Sequence, residues 1–254
     1  MLTENGPRDG GPTDVVSLLA DMVRADPGRP RLTWYGPDGE RVELSGKVLA
    51  NWIAKTSNLL VDELDAGPGS TVALDLPAHW RSVVWLLAVW AVGAHAGLGP
   101  RVAADVLVTA TPATAPAGRA RLVAVALPAL ATSFARATGV PPPPGALDAA
   151  AEVRLQPDAF LPLAAPAPGD PAFTVSGTTT SHSDLLATAR RLASQIGVRP
   201  GDRLLTGAGA DRALPAWLGP LALGGSVVLH HDLGSLDDAA RQRLSAQEAV
   251  SRIA

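Results

Sequence analysis

The stretch "FTVSGTTTSH", Phe173 to His182, sets a serine, a glycine and three successive threonines between an apolar run and a histidine. Hydroxyls and backbone N–H groups placed after a strand and before a helix can converge on phosphate oxygens, and glycine lets the backbone approach them closely. The pattern marks Thr174, Ser176, Gly177, Thr178, Thr179 and Thr180 as candidate nucleotide or phosphate contacts, with His182 as a loop-organising imidazole. The competing reading of His182 is a histidine at a helix N-terminus bonded to backbone. A Walker-type loop needs Gly-Lys-Ser/Thr, and the chain's lysines are Lys47 and Lys55, both far upstream. "GAGADRA", residues 207–213, supplies only the first two glycines of a Rossmann fingerprint.

Other chemistry is thinner. Ser176 lacks the Gly-x-Ser-x-Gly elbow and a base placed to activate it, so no catalytic residue is assigned. His230 and His231 adjoin on an expected strand, where successive side chains take opposite faces, so they do not chelate one ion and no metal site is assigned. The absence of cysteine excludes disulfides, thiolate metal sites and thiol nucleophiles. His79 and His95 flank an apolar helix and read as structural, and tryptophans 52, 80, 85, 90 and 217 read as core packing.

Elements able to position the motif follow from composition and periodicity. With 254 residues, 47% of them hydrophobic, the chain can fill a sizeable core. A net charge of −3 without a basic cluster excludes the footprint of a nucleic-acid or anionic-membrane binder, leaving small molecules or proteins as partners. The N-terminus has no positive patch leading into an apolar run, and the longest apolar stretch, from Val83, falls short of the roughly 20 residues that span a bilayer. The expectation is a soluble cytoplasmic protein.

Residues 1–13 read as a flexible tail, and Asp14 as the cap of a helix carrying Val15, Leu18, Leu19, Met22 and Val23. "RLTWYGPDGERVEL" reads as a hairpin, a helix starts at Ser45, and "STVALDLP", "ADVLVTA", "RLVAVAL" and "SVVLHHD" read as strands. Residues 14–138 form a first α/β subdomain, 139–171 a Pro/Ala-rich connection, 172–235 a second α/β subdomain and 236–254 a helical tail. Pro68-Gly69 and Pro200-Gly201 lie 132 positions apart, and the same shift maps Thr56 to Thr188, Trp85 to Trp217 and Gly93 to Gly225. Each unit reads as helix, Pro-Gly turn, strand, helix, glycine, strand, a pattern of parallel pairing. The fold class is α/β: two related parallel-sheet subdomains with flanking helices.

The residues quoted also carry a resemblance. "FTVSGTTTSHSDLL" resembles the phosphate-loop signature of the adenylate-forming superfamily, which includes acyl-CoA synthetases, peptide-synthetase adenylation domains and luciferases. "GPGSTVALDLP", "LLAVWAVGAHAGLGP", "GVRPGDRLL" and "PLALGGSVVL" are similar to segments in the same order in that family, so the resemblance covers most of residues 14–233. It implies the layering of the family's N-terminal domain and, for an active member, ATP-dependent acyl-adenylate formation with ATP or AMP and magnesium. The departures weigh as much. The Gly-x-Pro-Lys-Gly arm that follows the threonines in the family is missing between Thr180 and Ser181. The sequence reaches Ala254 without the family's later motifs or a lysine to match its catalytic one. Adenylation needs magnesium and cationic groups to stabilise charge at the α-phosphate. Three readings stand open: a truncated, non-catalytic relative that still binds a nucleotide or acyl-type ligand; an interaction protein that forms a homo-oligomer or meets another protein through the face left by truncation; and a ligase completed in trans.

Overall fold

A computed structural model describes residues 11–116 and 118–254. Residues 1–10 of the expected tail lie outside the described residues. In chain order the first half contains α1 (Val15–Ala25), β1 (Pro30–Tyr35), β2 (Arg41–Ser45), α2 (Gly46–Asp62), β3 (Thr71–Asp75), α3 (Trp80–Ala91), β4 (His95–Leu98), β5 (Val106–Thr109) and β6 (Arg121–Ala124). Then come α4 (Phe134–Thr138), β7 (Leu147–Asp148), α5 (Ala149–Glu152), β8 (Pro171–Val175), β9 (Thr178–Ser181) and α6 (Leu185–Gln195). The last part contains β10 (Arg203–Thr206), a π turn (Leu214–Leu218) running into α7 (Gly219–Ala222), β11 (Ser226–His230), α8 (Asp238–Gln247) and β12 (Arg252–Ile253). No helix among the described residues is long and apolar enough to cross a membrane.

Local chemistry sets the helix starts. Asp14 accepts from the N–H of Ser17 while the Ser17 hydroxyl accepts from the N–H of Asp14, a reciprocal capping box. Ser45 caps α2 through Val48, and His79 caps α3 by accepting the N–H of Arg81 at 3.0 Å. Burial and the Arg81 charge push the His79 imidazole down to about 3, so its capping nitrogen stays unprotonated.

The strands form two sheets, ordered β12-β10-β11-β1-β2 and β7-β6-β5-β3-β4-β8-β9. Neither is wholly parallel, as the strand–helix alternation suggests. Each is closed at one edge by an antiparallel hairpin, β1–β2 in the smaller sheet and β8–β9 in the larger. Nor do the sheets divide where the composition changes. β1 is buried along its middle and pairs in parallel with β11, Leu32 opposite Val227, so the first hairpin completes a sheet made mostly from the end of the chain. The Pro/Ala-rich connection contributes β7, while β8 inserts beside β4. One continuous core runs through both sheets, from Val72, Val106 and Phe173 to Leu32, Leu204 and Val227.

The internal repeat is present with one adjustment. Gly69 and Gly201 both take positive φ, +88° and +82°, and β3 and β10 follow at the same spacing. After the second helix the counterpart of Gly93 (φ +79°) is Gly224 (φ +73°), not Gly225. His95 N–H donates to Ser70 and Ser226 N–H donates to Asp202, each at 2.9 Å, which confirms the one-residue slip. The slip lies within the second helix, whose first turn is π. That helix lies so close to α6 that a Cβ on Gly219 would fall 2.5 Å from the carbonyl oxygen of Ala189.

The chain end packs on the smaller sheet. β12 pairs with β10, and the carboxylate of Glu248, 4% exposed, accepts from Tyr35 Oη at 2.5 Å, Arg41 Nε at 3.0 Å and Arg203 Nη2 at 2.5 Å. Burial alone would push this carboxyl up, but the Tyr35, Arg203 and Arg41 hydrogen bonds outweigh it and hold it below the ordinary range. A carboxylate lowered on folding stabilises at pH values above its unfolded pKa, and that contribution fades as pH falls through the folded value. Urea unfolding from pH 7 to pH 3 should show a decline in this range that Glu248→Gln lacks, with the variant about 3–5 kcal/mol less stable at neutral pH because Arg203 loses its counter-charge, whereas Arg41 keeps Glu43. Gly219→Ala should cost roughly 1–3 kcal/mol by overpacking, and a wild-type urea midpoint for it would contradict the close approach of the helices.

Candidate functional site

The threonine motif forms a hairpin. Val175 pairs with Thr178, so Ser176 and Gly177 are a two-residue turn, and both have positive φ, +49° and +77°. That is the type I′ geometry whose twist suits a tight hairpin, and glycine accepts it more readily than serine. Thr174 and Thr179 face each other across the ladder, their hydroxyls 2.8 Å apart. Thr178 and Thr180 pair with Val175 and Phe173 and so take the other face, where Phe173 packs edge-on against Trp90.

His95 completes the Thr174 face. Its Nε2 lies 2.8 Å from Thr174 Oγ1 and its Nδ1 3.4 Å from Thr71 Oγ1. The result is a line of hydrogen bonds across four adjacent strands, Thr71, His95, Thr174 and Thr179. Burial pushes the His95 pKa down, which favours the neutral imidazole. A neutral ring has one donor and one acceptor nitrogen and can bridge two hydroxyls. Composition and motif both missed this residue, because its partners are 24 and 79 positions away. The available signal was its place as the first residue of a strand beside Gly97, where Val102 fills the space of a side chain.

His182 lies apart from this line. Its N–H donates to the Asp170 carbonyl at 3.0 Å, and its Nε2 is buried with no partner among the described residues. Burial pushes its pKa down, against the backbone of Ala94 and Gly93 pulling it up. It lines a cleft of about 970 Å³ together with Trp90, Pro166, Asp14 and Leu185. Ser181 organises the entry to α6 instead, donating to Asp184 at 2.7 Å.

Cations are absent from the hairpin: among the described residues no ammonium or guanidinium hydrogen-bonds to residues 174–181. Lys55 is engaged elsewhere, with Asp158 at 2.8 Å and the carbonyls of Arg154 and Gln156. The rings of His230 and His231 stack, centroids 5.0 Å apart, rather than pointing to opposite faces, because His231 lies past the strand end. Among the described residues no three His, Asp or Glu side chains gather as metal ligands would.

No family model matches the chain. The fold is similar to that of Brucella canis acyl-CoA synthetase, with a TM-score of 0.74 at 21% identity over 98% of this chain. It is equally similar to acetoacetyl-CoA synthetase from Streptomyces lividans, with a TM-score of 0.74 at 19% identity over 94% of this chain. The two matches cover 48% and 42% of those synthetases, so this chain spans about half their length. The chain thus has the fold of part of these synthetases. A TIGR03089 family protein of Mycobacterium tuberculosis (strain ATCC 25618 / H37Rv) is 38% identical over 245 residues, 93% of this chain and 96% of the relative, and this chain belongs to that family.

The hydrogen-bonded line predicts an asymmetric mutational response. Thr174→Val strips a partner from both His95 and Thr179 and should cost about 1–2 kcal/mol by urea unfolding. Thr179→Val, at the exposed end, should cost less. Equal and negligible losses would show that the line contributes no stability.

Proposed function

We propose that this protein is a non-catalytic relative of the adenylate-forming enzymes that binds a neutral or singly charged ligand, of acyl or adenylate type, at the face bearing Thr174, Thr179 and His95. The observation that carries the reading is the two-residue turn at Ser176 and Gly177. A triphosphate needs an arm long enough to wrap it and cations to offset its charge. This hairpin has neither. What it offers is hydroxyls and an imidazole, which suit a carbonyl, a hydroxyl or a single phosphate. Ser176, Gly177, Thr178 and Thr180 serve in this reading as the turn and the opposite strand face, and His182 as a wall of the neighbouring cleft.

A second reading rests on a separate observation. Residues 157–166 cross the surface between anchors at Lys55 and Asn58 and the packing of Pro166 on Gly93, and leave Leu161 and Leu163 84% and 87% exposed. Two neighbouring leucines in water favour contact with another copy or another protein.

Pyrophosphate exchange with ATP, magnesium and a panel of carboxylic acids should give no signal, with or without lysate; turnover in either arm would overturn the non-catalytic reading, and turnover only with lysate would establish completion in trans. Thermal unfolding should rise with acyl-sulfamoyl-adenosine at millimolar concentration and not with ATP·Mg, with the rise lost in Thr174→Val. No shift with any of them would retire the ligand reading. A Leu161→Ser/Leu163→Ser variant that changes the sedimentation-derived mass would instead support the second.

A further inference from the structure

Residues 158–164 cross the surface with alternating sides. Asp158, Phe160, Pro162 and Ala164 line the spaces beneath the segment, whereas Leu161 and Leu163 stand out into solvent, 84% and 87% exposed. Residues two apart on an extended chain are about 7 Å apart, so the pair presents two adjacent apolar knobs. Pro162 between them fixes its own φ and confines Leu161 to extended backbone, so the knobs are held in place at little entropic cost.

The same segment borders a groove of about 440 Å³ that opens to solvent, with Phe160 in its wall. Val16, Leu19 and Val23 of α1 face it, as do Ala50, Ile53 and Ala54 of α2, each set at helical spacing. On α1 these residues form a second stripe beside Val15, Leu18 and Met22, which enter the core, and they stay half-buried. At 1.5 Å per residue, Val16 to Val23 spans about 10 Å, long enough for two leucines about 7 Å apart. Among the described residues no side chain fills the groove.

The charges at its rim indicate the occupant. Arg24 and Asp158 are the charged lining residues, and each already holds a counter-ion within the chain, Asp21 and Lys55. These four charges sum to zero, so the face meets a copy of itself without net repulsion, whereas a strongly charged partner finds no free opposite charge. Knob and groove also adjoin, because Leu161 directly follows Phe160. A face that carries both side by side is complementary to itself about a two-fold axis, and such pairing closes at two copies.

We propose that this face is a homodimer interface, in which Leu161 and Leu163 of one copy seat in the α1–α2 groove of a second copy and receive that copy's leucines in return. The proposal rests on the reading of the two leucines as a contact surface and adds what receives them. It is independent of any ligand at the Thr174 face.

Sedimentation equilibrium of the full chain should give a mass that rises from monomer to dimer in the micromolar range and no further. Leu161→Ser/Leu163→Ser should raise the dissociation constant at least about tenfold, since each leucine is lost from both copies. Ala50→Trp, which fills the groove and leaves the leucines in place, should do the same. The chain has no cysteine, so cross-linking reports the geometry directly. Leu163→Cys and Ala20→Cys variants, both altered at exposed positions beside the groove, should on mixing and oxidation form the mixed disulfide faster than either forms its own. This measurement decides the matter even where Ala50→Trp does not fold. A mass that stays monomeric would overturn both the proposal and the reading beneath it. Dissociation by the leucine variant without preference for the mixed disulfide, or assembly beyond the dimer, would leave the leucines a contact surface and overturn the groove as their reciprocal receptor.

Discussion

The complete burial of α3 is the constraint from which the architecture follows. All twelve of its residues are buried, among them three tryptophans. A helix apolar on every side needs packing on every side. Here β3 and β4 take one flank, β1 and its Trp34 another, and α1 and α2 the rest. Several of the polar groups drawn in are satisfied locally: Ser82 donates to Pro77, Trp90 Nε1 to Ala172 and Trp34 Nε1 to Ala78. These last two bonds tie each sheet to the helix ends, so the sheets are spaced by the same element that joins them. The cap at His79 obeys the same constraint, because a charged imidazole would be buried at the positive end of a helix.

Once α3 is enclosed, the edges of the sheets decide what chemistry can be hosted. Parallel strands expose their carboxyl ends to ligands through the loops that follow them. β8 is followed instead by a two-residue turn that sends the chain straight back as β9, so its carboxyl end carries a strand pair rather than an open loop. The same threonines that would offer hydroxyls and N–H groups to phosphate from a loop are committed in pairs to the two faces of a ladder. What remains polar on one face is a line at sheet level, which recognises groups rather than surrounding them.

Much of this was legible in the residues. The caps at Asp14 and Ser45, the hairpin around "GPDG" and the helix from Trp80 follow from local pattern, and a family resemblance anticipated the layering. Sheet membership was not legible, because the partner of Leu32 is Val227 and nothing local distinguishes an edge from an inner position. The hairpin at Ser176 was hidden by reading "SGTTT" as a loop signature, although Ser-Gly flanked by β-branched residues is also a turn signal. The one-residue slip at Gly224 could not be seen, since "GG" offers two glycines and only the backbone dihedral tells which one turns.

Three arginines, Arg31 and Arg81 buried and Arg203 half-buried, show how differently one fold can hold the same charge. Arg203 meets the carboxylate of Glu248 at 2.5 Å and gains Thr33 as well. Arg31 has no carboxylate, but its Nη1 donates to the carbonyls of Gly224 and Gly225 at 2.7 and 3.0 Å, just past the end of a helical run where carbonyls carry partial negative charge. Arg81 sits instead on the first turn of α3, where the helix presents N–H groups and partial positive charge, with two aromatic faces as its near neighbours. A cation–π contact contributes on the order of 1–2 kcal/mol, less than the several kcal/mol that burying an unpaired guanidinium costs. The sheet-side arginines meet strong acceptors within the chain, whereas Arg81 has long contacts to the Pro128 and Ala129 carbonyls and the faces of Trp80 and Trp52.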